Sequence, residues 1–157
     1  MNTSLSAAQA RQPLFQPRFA LPPETVASEP IHHDSRRIMI VNDDMRSAAK
    51  LKRTLGTLGY SATLVAYSGQ RALAAVVAYS PAVAIVDLEL GDMTGFHLAN
   101  KLRLHADPRV RAIPMIAVAE EPEWATSELA RAAGFLGLLT KPVPSWLLSG
   151  LLSRSLP

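Results

Sequence analysis

The chain contains no cysteine, which excludes disulfides and thiolate metal sites and gives no reason to place it in an oxidising compartment. It has no apolar run approaching the roughly 20 residues of a membrane span. The most apolar stretch, Trp146 to Leu152, is broken by Ser149 and Gly150. Met1 to Arg11 lacks a basic segment followed by an apolar one, so no secretory signal is expected. Strong charge of one sign is missing too: 16 Lys and Arg stand against 13 Asp and Glu, a small surplus rather than a basic patch, so nucleic-acid binding is not indicated. The expectation is a cytoplasmic protein with neither membrane nor nucleic acid as partner.

What is present suits one buried core. At 157 residues and 48% hydrophobic content the chain is long enough for one domain and too short for two ordinary ones. Residues 1–35 are rich in Pro, Ala, Ser and Gln, include Pro13, Pro17, Pro22, Pro23 and Pro30, and show no sustained period. Such a segment buries too little apolar surface to offset chain entropy, and a flexible tail is expected. The folded domain is expected over residues 36–157.

From there short apolar runs alternate with amphipathic segments, the mark of βα units around a parallel sheet. Strands are predicted over Arg37 to Val41, Ala62 to Ala66, Val83 to Val86, Met115 to Val118 and Leu136 to Leu139. Helices are predicted over Arg46 to Leu58, Gly69 to Tyr79, Phe96 to His105, Glu123 to Ala133 and Ser145 to Ser153. In the first helix Ala48, Leu51, Leu55 and Leu58 form one stripe, with Lys50, Lys52 and Arg53 off it. Gly59 and Gly134 supply helix stops. The fold class is α/β, a doubly wound sheet of five parallel strands with five helices.

In such sheets the ligand site lies beyond the carboxyl ends of the strands. The first strand ends in Asn42-Asp43-Asp44, the third in Asp87 and the fifth in Thr140-Lys141-Pro142. Carboxylates and an ammonium at one rim suit a hard divalent cation beside a phosphoryl group, with a carboxylate able to form an aspartyl phosphate. Taken singly, each position has a plainer reading: Asp43 and Asp44 as helix caps, Asp87 as a turn residue, Lys141 as a solvated lysine. Their joint placement favours a site. The histidines, His32, His33, His97 and His105, have no metal-ligand spacing.

The strings IMIVNDDMRSAAKLKRTLGTLGY, AIVDLELGDMTGF and AAGFLGLLTKP resemble, in order and spacing, the three motif blocks of two-component response-regulator receiver domains (the CheY-like superfamily). The similarity spans about Arg36 to Leu156. It implies a flavodoxin-like strand order 2-1-3-4-5, with Asp87 as phosphoacceptor and Lys141 as the ion-pairing partner of the phosphoryl group. It also implies a Mg²⁺ site made by Asp43, Asp87 and the backbone carbonyl of Glu89, with Asn42 or Asp44 contributing indirectly. A cis Lys141-Pro142 bond is implied as well. The implied partners are a histidine kinase or phosphotransfer protein and a downstream protein target. Homodimerisation would use the face of the fourth helix, fifth strand and fifth helix, where Trp124, Leu138 and Trp146 lie. With fifteen residues after Pro142 the expectation is a stand-alone receiver that turns over no separate substrate.

Three positions depart from the family pattern. Asn42 replaces the usual first acid and removes a charge that helps hold the cation, so only weak Mg²⁺ binding is expected. Ala119 replaces the Thr or Ser whose hydroxyl bonds the phosphoryl group, and a methyl cannot donate that bond. Leu138 replaces the usual switching aromatic. Glu89 is expected near the entry to Asp87, repelling a donor and pairing with Lys141 at rest. These departures support an alternative, a pseudo-receiver adaptor working without phosphorylation. A phosphohydrolase built on Asp87-Leu88-Glu89 is disfavoured because no segment would cap its substrate.

Overall fold

The computed structural model describes residues 36–121 and 123–156. The segment expected to be a tail, residues 1–35, lies outside the described residues. The elements in chain order are β1 (Ile38–Val41), α1 (Met45–Thr57), β2 (Thr63–Ala66), α2 (Gly69–Tyr79), β3 (Val83–Asp87) and α3 (Gly95–Arg103). They continue with α4 (Pro108–Arg111), β4 (Met115–Ala119), α5 (Trp124–Ala132), β5 (Phe135–Thr140) and α6 (Ser145–Ser155).

All strand pairings are parallel, in the order β2-β1-β3-β4-β5. β1, β3 and β4 are buried along their whole length, which accounts for their nearly unbroken apolar sequences. Alternate residues feed two cores. Ile38, Ile40, Ile85, Ile116, Val118 and Leu139 pack with Leu51 and Leu55 of α1 and with Leu148 and Leu152 of α6. Met39, Val41, Ala84, Val86, Met115 and Ala117 pack with side chains of α2, α3 and α5 on the other face.

The helices start on the caps their sequences provide. Asp44, Ser68 and Thr94 accept the backbone N–H groups of Ser47, Arg71 and His97. Gly59 and Gly134 follow α1 and α5 with φ of 91° and 85°, a left-handed conformation that glycine adopts without steric penalty. The predicted α1 stripe holds: Ala48, Leu51 and Leu55 are buried, Leu58 is half-buried, and Lys50, Lys52 and Arg53 are exposed.

Five helices were expected and six are present among the described residues. The addition is α4, one turn capped by Asp107 with Pro108 in its first position, too short to leave a visible period. The predicted fourth and fifth helices are therefore α5 and α6. β3 reaches Asp87 and β5 runs from Phe135 through Thr140, so both functional ends stay in strand geometry. Among the described residues no helix is long and apolar enough to cross a membrane.

Candidate functional site

The register of the sheet assembles the site. Val41 of β1 pairs with Val86 of β3, so Asn42 and Asp87 are neighbours at the same carboxyl rim. Ala119 pairs with Thr140, and the Lys141 N–H donates to the Ala119 carbonyl at 2.9 Å, which carries Lys141 to that rim from β5. The Lys141-Pro142 bond is cis, as the family resemblance implied.

Asp87 is buried, its side chain 2% exposed, and both of its carboxylate oxygens are engaged. Its Oδ2 lies 2.5 Å from Lys141 Nζ, and its Oδ1 accepts the Glu89 N–H at 3.0 Å. A carboxylate taken this far out of water needs both contacts, since an unpaired buried charge costs several kcal/mol. Lys141 is 17% exposed on its side chain and also lies 3.3 Å from Glu120 Oε1. Burial alone would lower the pKa of its ammonium; the hydrogen bonds and charges of Asp87 and Glu120 outweigh it and hold the pKa above the ordinary lysine value.

Each sequence candidate now has a place. Asp43 reaches the β3–α3 loop, where its Oδ2 accepts the Gly91 N–H at 2.8 Å. Asp44 caps α1 through Ser47 at 2.7 Å, and that backbone bond is the main reason its pKa is lowered. Its Oδ1 thus serves as a helix cap. Asn42 is 3% exposed and its Oδ1 accepts the Asp44 N–H at 2.8 Å, so it orders the loop. Ala119 is buried beneath the site, where its carbonyl accepts the Lys141 N–H. Leu138 is half-buried against the α2–α3–α5 core, and Trp146 is 74% exposed on α6. Trp124 opens α5; its side chain lies outside the described residues.

One expectation is corrected. The ion pairs of Lys141 among the described residues are with Asp87 and Glu120, not with Glu89. The Glu89 backbone follows the β3–α3 loop, bridging to Thr94, while Glu120 leaves the end of β4 directly beside Lys141. Glu120 was missed although the strand-end rule that found Asp43, Asp87 and Lys141 applies to it equally. Asp92 was missed as well: its two carboxylate oxygens accept the Gly69 and Gln70 N–H groups at 2.9 Å each, tying the β3–α3 loop to the start of α2. Those two bonds, Gln70 first, lower its pKa.

Gly95 begins α3 against the β3 end. A Cβ there would meet the Asp87 carbonyl oxygen at 2.5 Å and Leu88 Cα at 2.8 Å, both backbone atoms unable to yield. Beside the rim lies a cleft of about 260 Å³, lined among others by Asn42, Ser47, Lys50, Glu120, Lys141 and Val143.

The donors that the family resemblance implies for a cation, Asp43, Asp87 and the Glu89 carbonyl, are all oxygens. Among the described residues no three acidic or imidazole groups gather into a metal cluster. Two carboxylates and a carbonyl fit a cation that keeps several of its waters, as Mg²⁺ does, and do not form an all-protein cage.

Comparison with known proteins agrees with this geometry. Residues 38–151 match the response regulator receiver domain family. The chain is 32% identical over 107 residues to chemotaxis protein CheY1 of Helicobacter pylori, an alignment covering 68% of this chain and 85% of that one. It is 33% identical over 107 residues to an uncharacterized 76.5 kDa protein of Thiocystis violacea, and spans only 15% of that longer protein. The crystal structure of Vibrio cholerae chemotaxis protein CheY4 superposes with a TM-score of 0.68 at 25% identity, covering 76% of this chain and 97% of the other. With the strand order, the Asp87–Lys141 pair and the family match in agreement, this chain belongs to the response regulator receiver domain family of two-component signalling.

Proposed function

We propose that this receiver accepts a phosphoryl group on Asp87 from a histidine kinase or phosphotransfer protein and passes the signal on by protein contact. The observation that carries the proposal is the state of Asp87: a buried carboxylate at the sheet rim, one oxygen fixed by the Glu89 N–H and the other held by Lys141. In the reaction an Asp87 oxygen bonds to phosphorus as the bond from phosphorus to the donor nitrogen or oxygen breaks. The leaving group keeps that electron pair and takes a proton from solvent. Lys141 neutralises charge on the phosphoryl oxygens, and Asp43 and the Glu89 carbonyl would hold Mg²⁺ with Asp87. The cation, when bound, offsets charge on the transferred group.

The chain's own surface supports an acidic donor. Arg46, Lys50, Lys52 and Arg53 are exposed on α1, with Lys50 lining the cleft beside the site, and α1 carries no acid. Such a surface speeds encounter with a negative partner at low salt. For the downstream contact, or a homodimer, the α5–β5–α6 face offers Leu129, Leu136 and Trp146, each more than half exposed. Turnover of a separate substrate is not part of the proposal, and the setting is cytoplasmic.

A second reading, the pseudo-receiver adaptor, draws on Ala119, which brings no hydroxyl to the position next to Lys141. Incubation with Mg²⁺ and a small acyl phosphate, followed by intact-mass measurement, separates the two. Wild type should gain one phosphoryl group and Asp87→Ala none. No gain in wild type, or target binding unchanged by Asp87→Ala, leaves the adaptor reading standing.

A further inference from the structure

In the pattern this chain departs from, a hydroxyl at the position of Ala119 links the phosphoryl group to the end of β4. Here the end of β4 reaches the site through a different group. Glu120, the next residue, places its carboxylate 3.3 Å from Lys141 Nζ, the same ammonium that lies 2.5 Å from Asp87 Oδ2. Lys141 thus stands between two carboxylates, one 2% and the other 65% exposed. The bond from the Lys141 N–H to the Ala119 carbonyl fixes the backbones on both sides of this contact, so it depends on side-chain charge and little else.

We infer that Glu120 is a positioning residue acting through Lys141. It holds the ammonium at rest and competes for it with a phosphoryl group on Asp87, so that loss of the Glu120–Lys141 pair is what phosphorylation changes at the end of β4. This rests on the phosphoacceptor reading of Asp87. The charge balance favours it: phosphorylation replaces one carboxylate by a group of nearly twice the charge with more acceptor oxygens. The lysine then moves its hydrogen bonds to that group, and Glu120 faces a stronger like charge. Being largely exposed, Glu120 can swing into water at small cost, which a buried acid could not do. The cleft walled by Glu120, Lys141 and Lys50 gives its side chain open space beside the site.

The test compares wild type with Glu120→Gln, Glu120→Ala and Glu120→Asp. The first readout is the Lys141 side-chain ammonium signal in ¹⁵N NMR of the unphosphorylated proteins. The second is the rate of phosphoryl gain from a small acyl phosphate with Mg²⁺. An exposed ion pair is worth little, so Glu120→Gln and Glu120→Ala should react about twofold to fivefold faster. Both should shift the ammonium signal, and Glu120→Asp should restore part of the wild-type signal and rate. On phosphorylation the backbone amide of Glu120 should shift strongly in wild type and weakly in Glu120→Gln. An unmoved ammonium signal, or wild-type rates in all three variants, overturns the inference. If no protein gains mass, the phosphoacceptor reading has failed instead, and the pairing at rest is decided by the ammonium signal alone.

Discussion

The Asp87–Lys141 pair allows a test in which the two halves of one contact behave differently. Lys141→Met keeps the length and apolar stem of the side chain and removes the charge. It leaves the Asp87 carboxylate, 2% exposed, with the Glu89 N–H as its remaining hydrogen bond. Breaking a buried pair from one side costs about 3–5 kcal/mol, and the partial exposure of Lys141 places this one near the lower end, about 3 kcal/mol. Asp87→Asn differs: its side-chain oxygen still accepts the Glu89 N–H, while Lys141 keeps Glu120 and some contact with water. A loss of about 1 kcal/mol is expected there, the usual worth of one hydrogen bond. The double variant leaves no stranded carboxylate and should be more stable than Lys141→Met alone, with a coupling of about 2–3 kcal/mol. The assay is urea unfolding at neutral pH with chelator present, since a cation would compensate the stranded carboxylate. Lys141→Met within about 0.5 kcal/mol of wild type, the scatter of ordinary surface changes, would refute the reasoning, as would Asp87→Asn being the costlier change. The pH dependence carries a sign. The Lys141 pKa is raised above 10.5, so the pair's contribution is fully present below that value and is lost as pH rises through the folded pKa. On the alkaline side the gap between wild type and Lys141→Met should therefore close as pH rises through the folded Lys141 value.

Three further outcomes follow from the same geometry. Asn42→Asp keeps the bond to the Asp44 N–H but places a second carboxylate in the buried pocket beside Asp87; Mg²⁺ affinity by titration should rise on the order of tenfold, while metal-free stability falls. Gly95→Ala drives a Cβ into the β3 backbone and should cost about 1–3 kcal/mol, whereas Gly56→Ala, with nothing within 4 Å on exposed α1, should gain about 0.5–1 kcal/mol in thermal unfolding. In acid, Asp92 and Asp107 should each withdraw support: the backbone bonds of Gln70 and Gly69 depress the first below 3.8, and the hydrogen bond from Arg109 holds the second at about 2. Stability present above 3.8 is thus lost as pH falls through the folded values, and Asp92→Asn should flatten part of that slope.

The parallel, doubly wound sheet follows from composition and connection rules, and its strand order from the family resemblance of the motif strings. Apolar runs covered on both faces, separated by amphipathic helices, leave few arrangements of right-handed crossovers, and the motif strings select 2-1-3-4-5. Because every strand runs parallel, every strand end lies on one rim, so Asp43, Asp87 and Lys141 could be placed there by reading along the chain. Gly59 and Gly134 marked helix stops for a local reason, the left-handed backbone that a side chain penalises. α4 escaped because one turn offers no period to read.

The amino-acid sequence by itself determined the sheet, its layers and the rim on which chemistry is possible, since burial patterns and chain connectivity are properties of consecutive residues. Which acid faces which cation was decided only in three dimensions. Glu89 and Glu120 both stand within two residues of a strand's end, but the β3–α3 loop leaves one exposed and the β4 end delivers the other to Lys141. Likewise Asp43 and Asp44 are adjacent, and the peptide geometry entering α1 sends one to Gly91 and makes the other a cap. A few ångströms of loop path set those pairings, and side-chain charge interactions fall off too steeply with distance for sequence spacing to resolve them.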